Sequence, residues 1–323
     1  MKVSFWGTRG SLPNSITEKH IKKKIKNALI KAIDHKLNSE KKVVDFIEHD
    51  LTFAERGTYG SNTSCVEIID AKMLTKKNPE FIVCDAGSGI RDFGNHIMAS
   101  GIKNATFHIF MSHLHWDHIQ GFPFFVPAFI PTNKVKIYGC HDKLEEAFRF
   151  QQSSTHFPLP LKDMPGDISF QLLEEGKEFK IAGFKINMIK QNHPGESFGY
   201  SFQKYGKKVV YSTDSEHDEH SEKTGYPFID FYKNSDLLIF DAQYILLQNM
   251  DMKKSWGHSS SLIGVELSIK SKVKKLVLFH NEHTYDDEIL EKMLQDTKRY
   301  AKLVDPSYDL KIELAYDNLK LEI

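Results

Sequence analysis

The sequence predicts one α/β unit with a helical segment inserted at about residues 14–56. Three observations lead to this reading. Short apolar runs and segments of helical period are mixed along the whole chain. No internal repeat of roughly 20–50 residues and no low-complexity linker divides it. The 323 residues are 40% hydrophobic, ample for a buried core, so global disorder is excluded. The length alone would allow about two domains, but the mixture of elements continues without a break, so residues 1–323 are read as one domain.

Lys2 to Trp6 reads as a strand, followed by a polar turn that ends at Pro13. Ile21, Ile25, Leu29 and Ile33 then recur every four residues and mark one face of an amphipathic helix. Residues 17–42 carry nine lysines against Glu18, Asp34 and Glu40. The apolar stripe of this helix must be covered, by the body of the protein or by a second subunit. Val43 to Leu51 reads as a second short helix. Strands are expected at 64–69, 81–84, 105–111 and 134–138, with helices at 89–99 and 142–152. Residues 153–166 hold three prolines and read as a loop. Strands follow at 168–173, 178–181, 184–191, 198–204 and 207–212, the last two joined by a hairpin at Gly206-Lys207. Leu237 to Phe240 and Val273 to Phe279 are buried-type strands. Helices are expected at 260–270 and 286–302, and closing strands at 309–315 and 319–323. The aromatic stretch Phe122 to Phe129 reads as core packing.

Charge narrows the function classes. Lys and Arg number 43, as do Asp and Glu, so net charge gives no case for binding nucleic acid or anionic membrane. No apolar run approaches the ~20 residues of a membrane-spanning helix, and the first residues look like a strand, not a signal peptide. Three scattered cysteines (Cys65, Cys84, Cys140) read as buried thiols in a reducing cytoplasm.

The strongest feature is Ser112-His113-Leu114-His115-Trp116-Asp117-His118, directly after the strand 105–111. In extended chain His113 and His115 point to the same side. Asp117 and His118 follow where the chain should turn into a helix. Imidazole and carboxylate are ligands that Zn²⁺ accepts, and such a cluster cannot sit in an apolar core without partners. Further ligands can come from other strand ends. His193, Asp214 and His280 each stand just beyond an apolar run, where α/β sheets place function.

The His-x-His-x-Asp-His segment, with His193, Asp214 and His280 in that order, resembles the metallo-β-lactamase fold superfamily of hydrolases. The resemblance also includes Phe5-Trp6-Gly7-Thr8-Arg9-Gly10-Ser11, Gly60-Ser61-Asn62-Thr63-Ser64-Cys65 and Asp85-Ala86-Gly87, and so covers nearly the whole chain. It implies a four-layer αββα sandwich with a two-metal site at the edge of the sheets. It implies that His113, His115 and His193 hold one metal, that Asp117, His118 and His280 hold the other, and that Asp214 bridges them. Asp85 would stand beside the site and orient a ligand. The segment departs from the family at Asn281-Glu282-His283, which leaves His283 unassigned, and the basic helical insert is not part of the minimal fold.

Two divalent ions about 3.5–4 Å apart can lower the pKa of a shared water. Zn²⁺ is the first expectation, with Mn²⁺ and Fe²⁺ also accepting these ligands. With Asp117, Asp214 and a hydroxide counted, the site would stay near +1 and attract an anionic phosphodiester. His258, in Trp256-Gly257-His258-Ser259-Ser260-Ser261, is the expected proton donor. The superfamily's phosphodiesterases, ribonuclease Z-like and cyclic-nucleotide-cleaving, resemble this chain in having such a His. Asp117, already in the ligand set, is also counted as catalytic. Asn62 and His217 are further candidates on the substrate side, although a turn residue and a solvated acidic loop (216–220) are the blander readings.

The expected function is a cytoplasmic phosphodiesterase with a small anionic substrate, a nucleotide ester such as a cyclic nucleotide. Hydrolysis of a thioester, lactone or other ester by the same hydroxide is the alternative, because fold does not decide chemistry. RNA processing is a further alternative. It is not favoured, because the basic insert lacks aromatic residues interleaved with its charges. A homodimer through the insert is one reading of its apolar stripe.

Overall fold

A computed structural model of the chain describes residues 1–218, 221, 223, 225–245 and 256–323. The first half runs β1 (Lys2–Gly7), α1 (Glu18–Ala32), α2 (Glu40–His49), α3 (Phe53–Arg56), β2 (Cys65–Ile69), β3 (Glu80–Cys84), α4 (Gly89–Ala99), β4 (Thr106–Phe110), α5 (Trp116–Ile119), β5 (Lys134–Gly139), α6 (Leu144–Gln151) and β6 (Asp167–Leu172). The second half runs β7 (Phe179–Ile181), β8 (Phe184–Lys190), β9 (Phe198–Lys204), β10 (Lys207–Ser212), α7 (Pro227–Tyr232), β11 (Leu237–Asp241), α8 (Ser261–Lys270), β12 (Lys275–Phe279), α9 (Asp287–Val304), β13 (Lys311–Leu314) and β14 (Lys320–Glu322).

The strands form two seven-stranded sheets, ordered β14-β1-β2-β3-β4-β5-β6 and β13-β12-β11-β10-β9-β8-β7. β3 to β6 are mutually parallel, as are β10 to β13. Of these, β3, β4, β11 and β12 are buried almost throughout, as strands covered on both faces are. β11 makes the point. Leu237 and Ile239 face the first sheet in the central core. Leu238 and Phe240 face the outer helices with residues of α7, α8 and α9. A third cluster lies on the outer face of the first sheet, where Phe81, Phe107 and Ile109 meet Ile90 and Phe93 of α4. Helix, sheet, sheet, helix: the four layers follow from period-two alternation in strands buried on both sides.

Phe122, in a short 3₁₀ turn, and Phe125, between that turn and the next, belong to that outer core, while Phe124 stays exposed. α7, a short helix opening on Pro227, was not expected. The β9–β10 hairpin turns at Tyr205 and Gly206, both at positive φ (54° and 73°), as a tight two-residue turn requires.

The inserted helices differ from the expectation in an instructive way. The chain leaves α1 at Ile33 and starts α2 at Glu40, earlier than the second helix was placed. The apolar stripe of α1 is not covered by the body of the protein. Ile21, Ile25, Leu29 and Ile33 are 50%, 55%, 64% and 75% exposed. The helix meets the body through its lysines instead. Lys24 Nζ donates to Gly57 O at 2.8 Å and to Asp287 at 2.7 Å, and Lys23 and Lys31 pair with Glu288 and Glu55. Periodicity identifies an apolar face but not the side on which the partner lies. Among the described residues, no helix is long and apolar enough to cross a membrane.

Phe93 is fully buried among the rings of Trp6, Phe81, Phe107 and Phe125, all with centroids within 6.0 Å. Phe93→Ala should therefore cost about 3–5 kcal/mol of stability through lost burial and the cavity left behind. Urea unfolding should show a lower midpoint with an unchanged slope.

Candidate metal centre and active site

The polar residues singled out in the sequence converge at one edge of the two sheets, where strands end. His113 and His115 follow β4, and Asp117 and His118 lie on the short helix α5. His193 follows β8, Asp214 follows β10, and His280 follows β12. Three residues at these ends adopt the left-handed region without being glycine: Asp85 (φ 60°), Asp214 (φ 50°) and His280 (φ 60°). That conformation costs an L-residue roughly 1–2 kcal/mol. It persists only where surrounding contacts over-determine it.

Asp214 sits between two groups of imidazoles. Its Oδ2 lies 3.6 Å from His113 Nε2 and 3.8 Å from His193 Nε2. Its Oδ1 lies 3.3 Å from both His118 Nε2 and His280 Nε2. Asp117 Oδ2 is 3.2 Å from the same two nitrogens and accepts the Ser11 N–H at 2.9 Å. His193 Nε2 stands 3.2 Å from His115 Nδ1. His113, His115 and His193 thus form one cluster of donor atoms, and Asp117, His118 and His280 another. In each, the atoms lie within 4.8 Å of one another.

Two features make this donor set fit divalent cations. First, His113 Nε2 is buried and has no hydrogen-bond partner, a costly state that a cation between it and the neighbouring carboxylate would relieve. Second, the outward nitrogens are fixed. His118 Nδ1 lies 2.7 Å from Asp85 Oδ2, and His193 Nδ1–H donates to Gly257 O at 2.9 Å. Each bond presents Nε2 to the cluster, as metal-ligating histidines require. Gly257 (φ 84°) is itself pressed against the His193 ring, leaving no room for a Cβ.

The charges follow from burial and neighbours. Burial, with the neighbouring imidazoles, holds His113 well below the usual histidine range. Burial also lowers His193 and His115. Burial disfavours the charged forms of Asp117 and Asp214, but the surrounding imidazoles outweigh it and keep both carboxyls well below their usual range. His118 is the exception. Burial opposes its cation, but Asp117, Asp214 and Asp85 prevail and hold it well above the usual range. A bound cation would take the place of that proton, so loading would release protons.

Asp85 is completely buried and accepts four hydrogen bonds: Ser112 N on Oδ1, and Ser112 Oγ, His118 Nδ1 and Tyr211 OH on Oδ2, each at 2.7 Å. His258 stands beside the cluster with its Nδ1 2.9 Å from Asp241 Oδ2 and 3.9 Å from Asp214 Oδ2. Burial works against its cation, but Asp241 outweighs it, and with Asp214 and Asp117 pushes the imidazole up to about 9. Sequence reasoning gave Asp241, Ser112 and Tyr211 no role. The signal for Asp241 was present, because it closes an apolar run just as Asp85 does.

Two further candidate residues are engaged by other side chains. Asn62 is buried, its amide donating to Asp92 Oδ2 at 2.7 Å and accepting from Ser88 Oγ at 3.1 Å, so it ties a turn to α4. His217 is packed against Phe240 and Phe228, with Nδ1 2.6 Å from Tyr226 OH and Nε2 3.2 Å from Ser215 Oγ. The aromatic pocket beneath the loop captures it. Glu219 and His220 of the same expected loop lie outside the described residues. Arg9, in the polar turn after β1, is buried and donates to the carbonyls of Gly60, Glu282 and Tyr285. His283 turns to Glu282, 3.0 Å away.

The fold and this cluster define the metallo-β-lactamase fold. A family model described as "Beta-lactamase superfamily domain" matches residues 81–281, and the chain belongs to that family, a family of hydrolases. The chain is 24% identical over 234 residues to ribonuclease Z of Leuconostoc mesenteroides, covering 59% of this chain and 74% of that protein. Its fold is similar to the metallo-beta-lactamase fold protein YhfI from Bacillus subtilis, with TM-score 0.64, 18% identity, and coverage of 100% and 99%. It is also similar to the short form of human tRNase Z, with TM-score 0.58, 20% identity, and coverage of 100% and 99%.

Burial holds the His217 imidazole down at about 3. Below pH ~6.5 the unfolded chain takes up a proton there that the folded chain refuses, so stability falls as pH drops through that window. His217→Gln should remove this contribution. Between pH 6.5 and 5 the variant should lose about 1–2 kcal/mol less than the wild type, read from denaturant melts at each pH.

Proposed function

We propose that this chain is a metal-dependent phosphodiesterase acting on a small nucleotide ester such as a cyclic nucleotide, with residues 1–323 serving as one hydrolase unit. The observation that carries this reading is the pairing of a carboxylate shared between two imidazole groups with a further imidazole, His258, backed by Asp241 and lying close to His193, Asp214 and His280. In it, His113, His115 and His193 would hold one divalent ion and Asp117, His118 and His280 the other, with Asp214 within reach of both groups. When bound, the two ions supply Lewis acidity and lower the pKa of water. Zn²⁺ is the first candidate, with Mn²⁺ and Fe²⁺ compatible with the same donors.

The chain's own residues do the rest. Asp85, held by Ser112 and Tyr211, keeps His118 in one tautomer and orientation. His258 stores a proton. Its Nδ1 is tied to Asp241, which leaves Nε2 to donate to the departing alkoxide oxygen. The imidazolium form that Asp241 favours is the form from which a general acid starts. Metal binding alone would not require this second, proton-holding pair, which is why the reading is catalytic.

One observation favours a second reading. The relative with the name ribonuclease Z and the neighbour with the name tRNase Z point to RNA as the diester. Metal-loaded protein should be assayed on bis(p-nitrophenyl) phosphate, a cyclic-nucleotide panel, a structured RNA, and a thioester and lactone panel. Turnover of cyclic nucleotides lost in His113→Ala/His115→Ala supports the proposal. RNA cleavage alone moves it to the second reading, and thioester or lactone turnover without diester turnover defeats both.

Asp214→Asn should lower metal content per chain, measured by elemental analysis, because the shared carboxylate is lost. His258→Ala should leave metal content near normal while lowering kcat about 10²–10⁴-fold. A variant at His258 that arrives without metal would instead make that residue a ligand.

A further inference from the structure

The three members of the second donor group are each held from behind. His118 is held by Asp85. Asp117 and His280 both meet the turn that follows β1. Ser11 N–H donates to Asp117 Oδ2 at 2.9 Å. Gly10 packs against the His280 ring, where a Cβ would stand 2.5 Å from Nδ1, so no side chain fits there. Gly10 N–H also donates to Asn281 O at 2.9 Å, which ties the turn to the residue after His280.

Ser11 is exposed, yet its φ is 62°. The left-handed region is costly for an L-residue and persists only where surrounding contacts over-determine it. Burial does not account for the conformation of an exposed serine. Two side chains hold it: Asp117 on its N–H, and Gln243, whose Nε2 donates to Ser11 Oγ at 3.3 Å.

Gln243 lies two residues beyond the end of β11 and is 3% exposed. Its backbone N–H donates to Asp241 Oδ1 at 3.2 Å, on the carboxylate that backs His258. Its Nε2 also donates to Glu282 Oε2 at 3.1 Å. Both amide protons are therefore used, and the amide has one orientation. Serving Glu282 alone would need one of these protons. The other goes to the residue whose N–H meets a candidate ligand. A buried amide thus joins the strand end that carries Asp241 to the exposed turn at Ser11, and Ser11 passes the constraint to Asp117.

We propose that Gln243 is a positioning residue for the second cation. By clamping Ser11 it fixes the Asp117 carboxylate, and so it sets the affinity of the Asp117, His118 and His280 group without affecting the His113, His115 and His193 group. Groups that orient a ligand from behind tune the metal in this way. The proposal rests on the two-ion reading above, and its test separates the two.

Zn²⁺ is titrated into the metal-stripped full chain in competition with a chromophoric chelator, with elemental analysis for stoichiometry. Wild type should take up two ions in separable steps. Asp117→Asn should weaken one of them, which identifies the second site. Gln243→Met keeps the bulk of the side chain but not its amide. It should weaken that same step about 10-fold, the lower end of what losing a group behind a ligand costs, and leave the other step unchanged. Ser11→Gly keeps the N–H and suits the backbone but removes the hydroxyl, and it should weaken the same step. The double variant should be no weaker than the weaker single one, because both remove one contact. Circular dichroism should match wild type throughout. If Gln243→Met does not fold, Ser11→Gly carries the test, since that position is exposed. Wild-type affinity at the Asp117 step, an equal loss at both steps, or additive losses in the double variant overturns the proposal and leaves the two-ion reading standing. A wild type that binds fewer than two ions overturns both.

Discussion

Negative charge buried at the carboxyl ends of strands is the constraint around which the rest is arranged. Asp85, Asp214 and Asp241 are each almost fully withdrawn from water. A lone buried carboxylate would cost several kcal/mol or give up its charge. None of the three is alone. Asp85 gathers Ser112, His118 and Tyr211, Asp214 lies among five imidazoles, and Asp241 takes His258 and the Ser215 N–H. The imidazoles that neutralise this charge are the same groups that can hold cations, so stability and chemistry draw on one set of contacts.

The sandwich makes that arrangement affordable. Two stacks of parallel strands, whose central members are buried on both faces, bring their ends to one edge. The left-handed backbone at Asp85, Asp214 and His280 is held there by the ladders that end beside it. Gln191 reinforces this edge from within, bonding the carbonyls of Thr213 and Asp214 and accepting from Ser212 Oγ. Strain placed at the ends of rigid strands points the side chains at one another rather than relaxing into a loop.

The inserted helices obey a different logic. α1 turns its lysines toward an acidic rim at Asp286, Asp287 and Glu288 and its isoleucines toward solvent. Ion pairs at an exposed surface contribute little each. The docking of α1 is therefore a weaker attachment than the packing of α4 or α9, whose apolar faces enter the core.

Much of this was legible in the sequence because it is local. Period-two and period-3.6 patterns located the strands and the long helices. The packed segment His113 to His118 displayed its donors within six positions. His193, Asp214 and His280 were legible because each interrupts an apolar run at its end. Tertiary structure alone decided the rest, because it depends on contacts between residues far apart in the chain. It decided that Asp241 meets His258, that Tyr211 reaches Asp85 across 126 positions, that Asn62 and His217 are drawn into other networks, and that α1 presents its apolar face outward. A sequence states which side chains want partners. Only the packed chain chooses them, since burial and distance are properties of the whole fold.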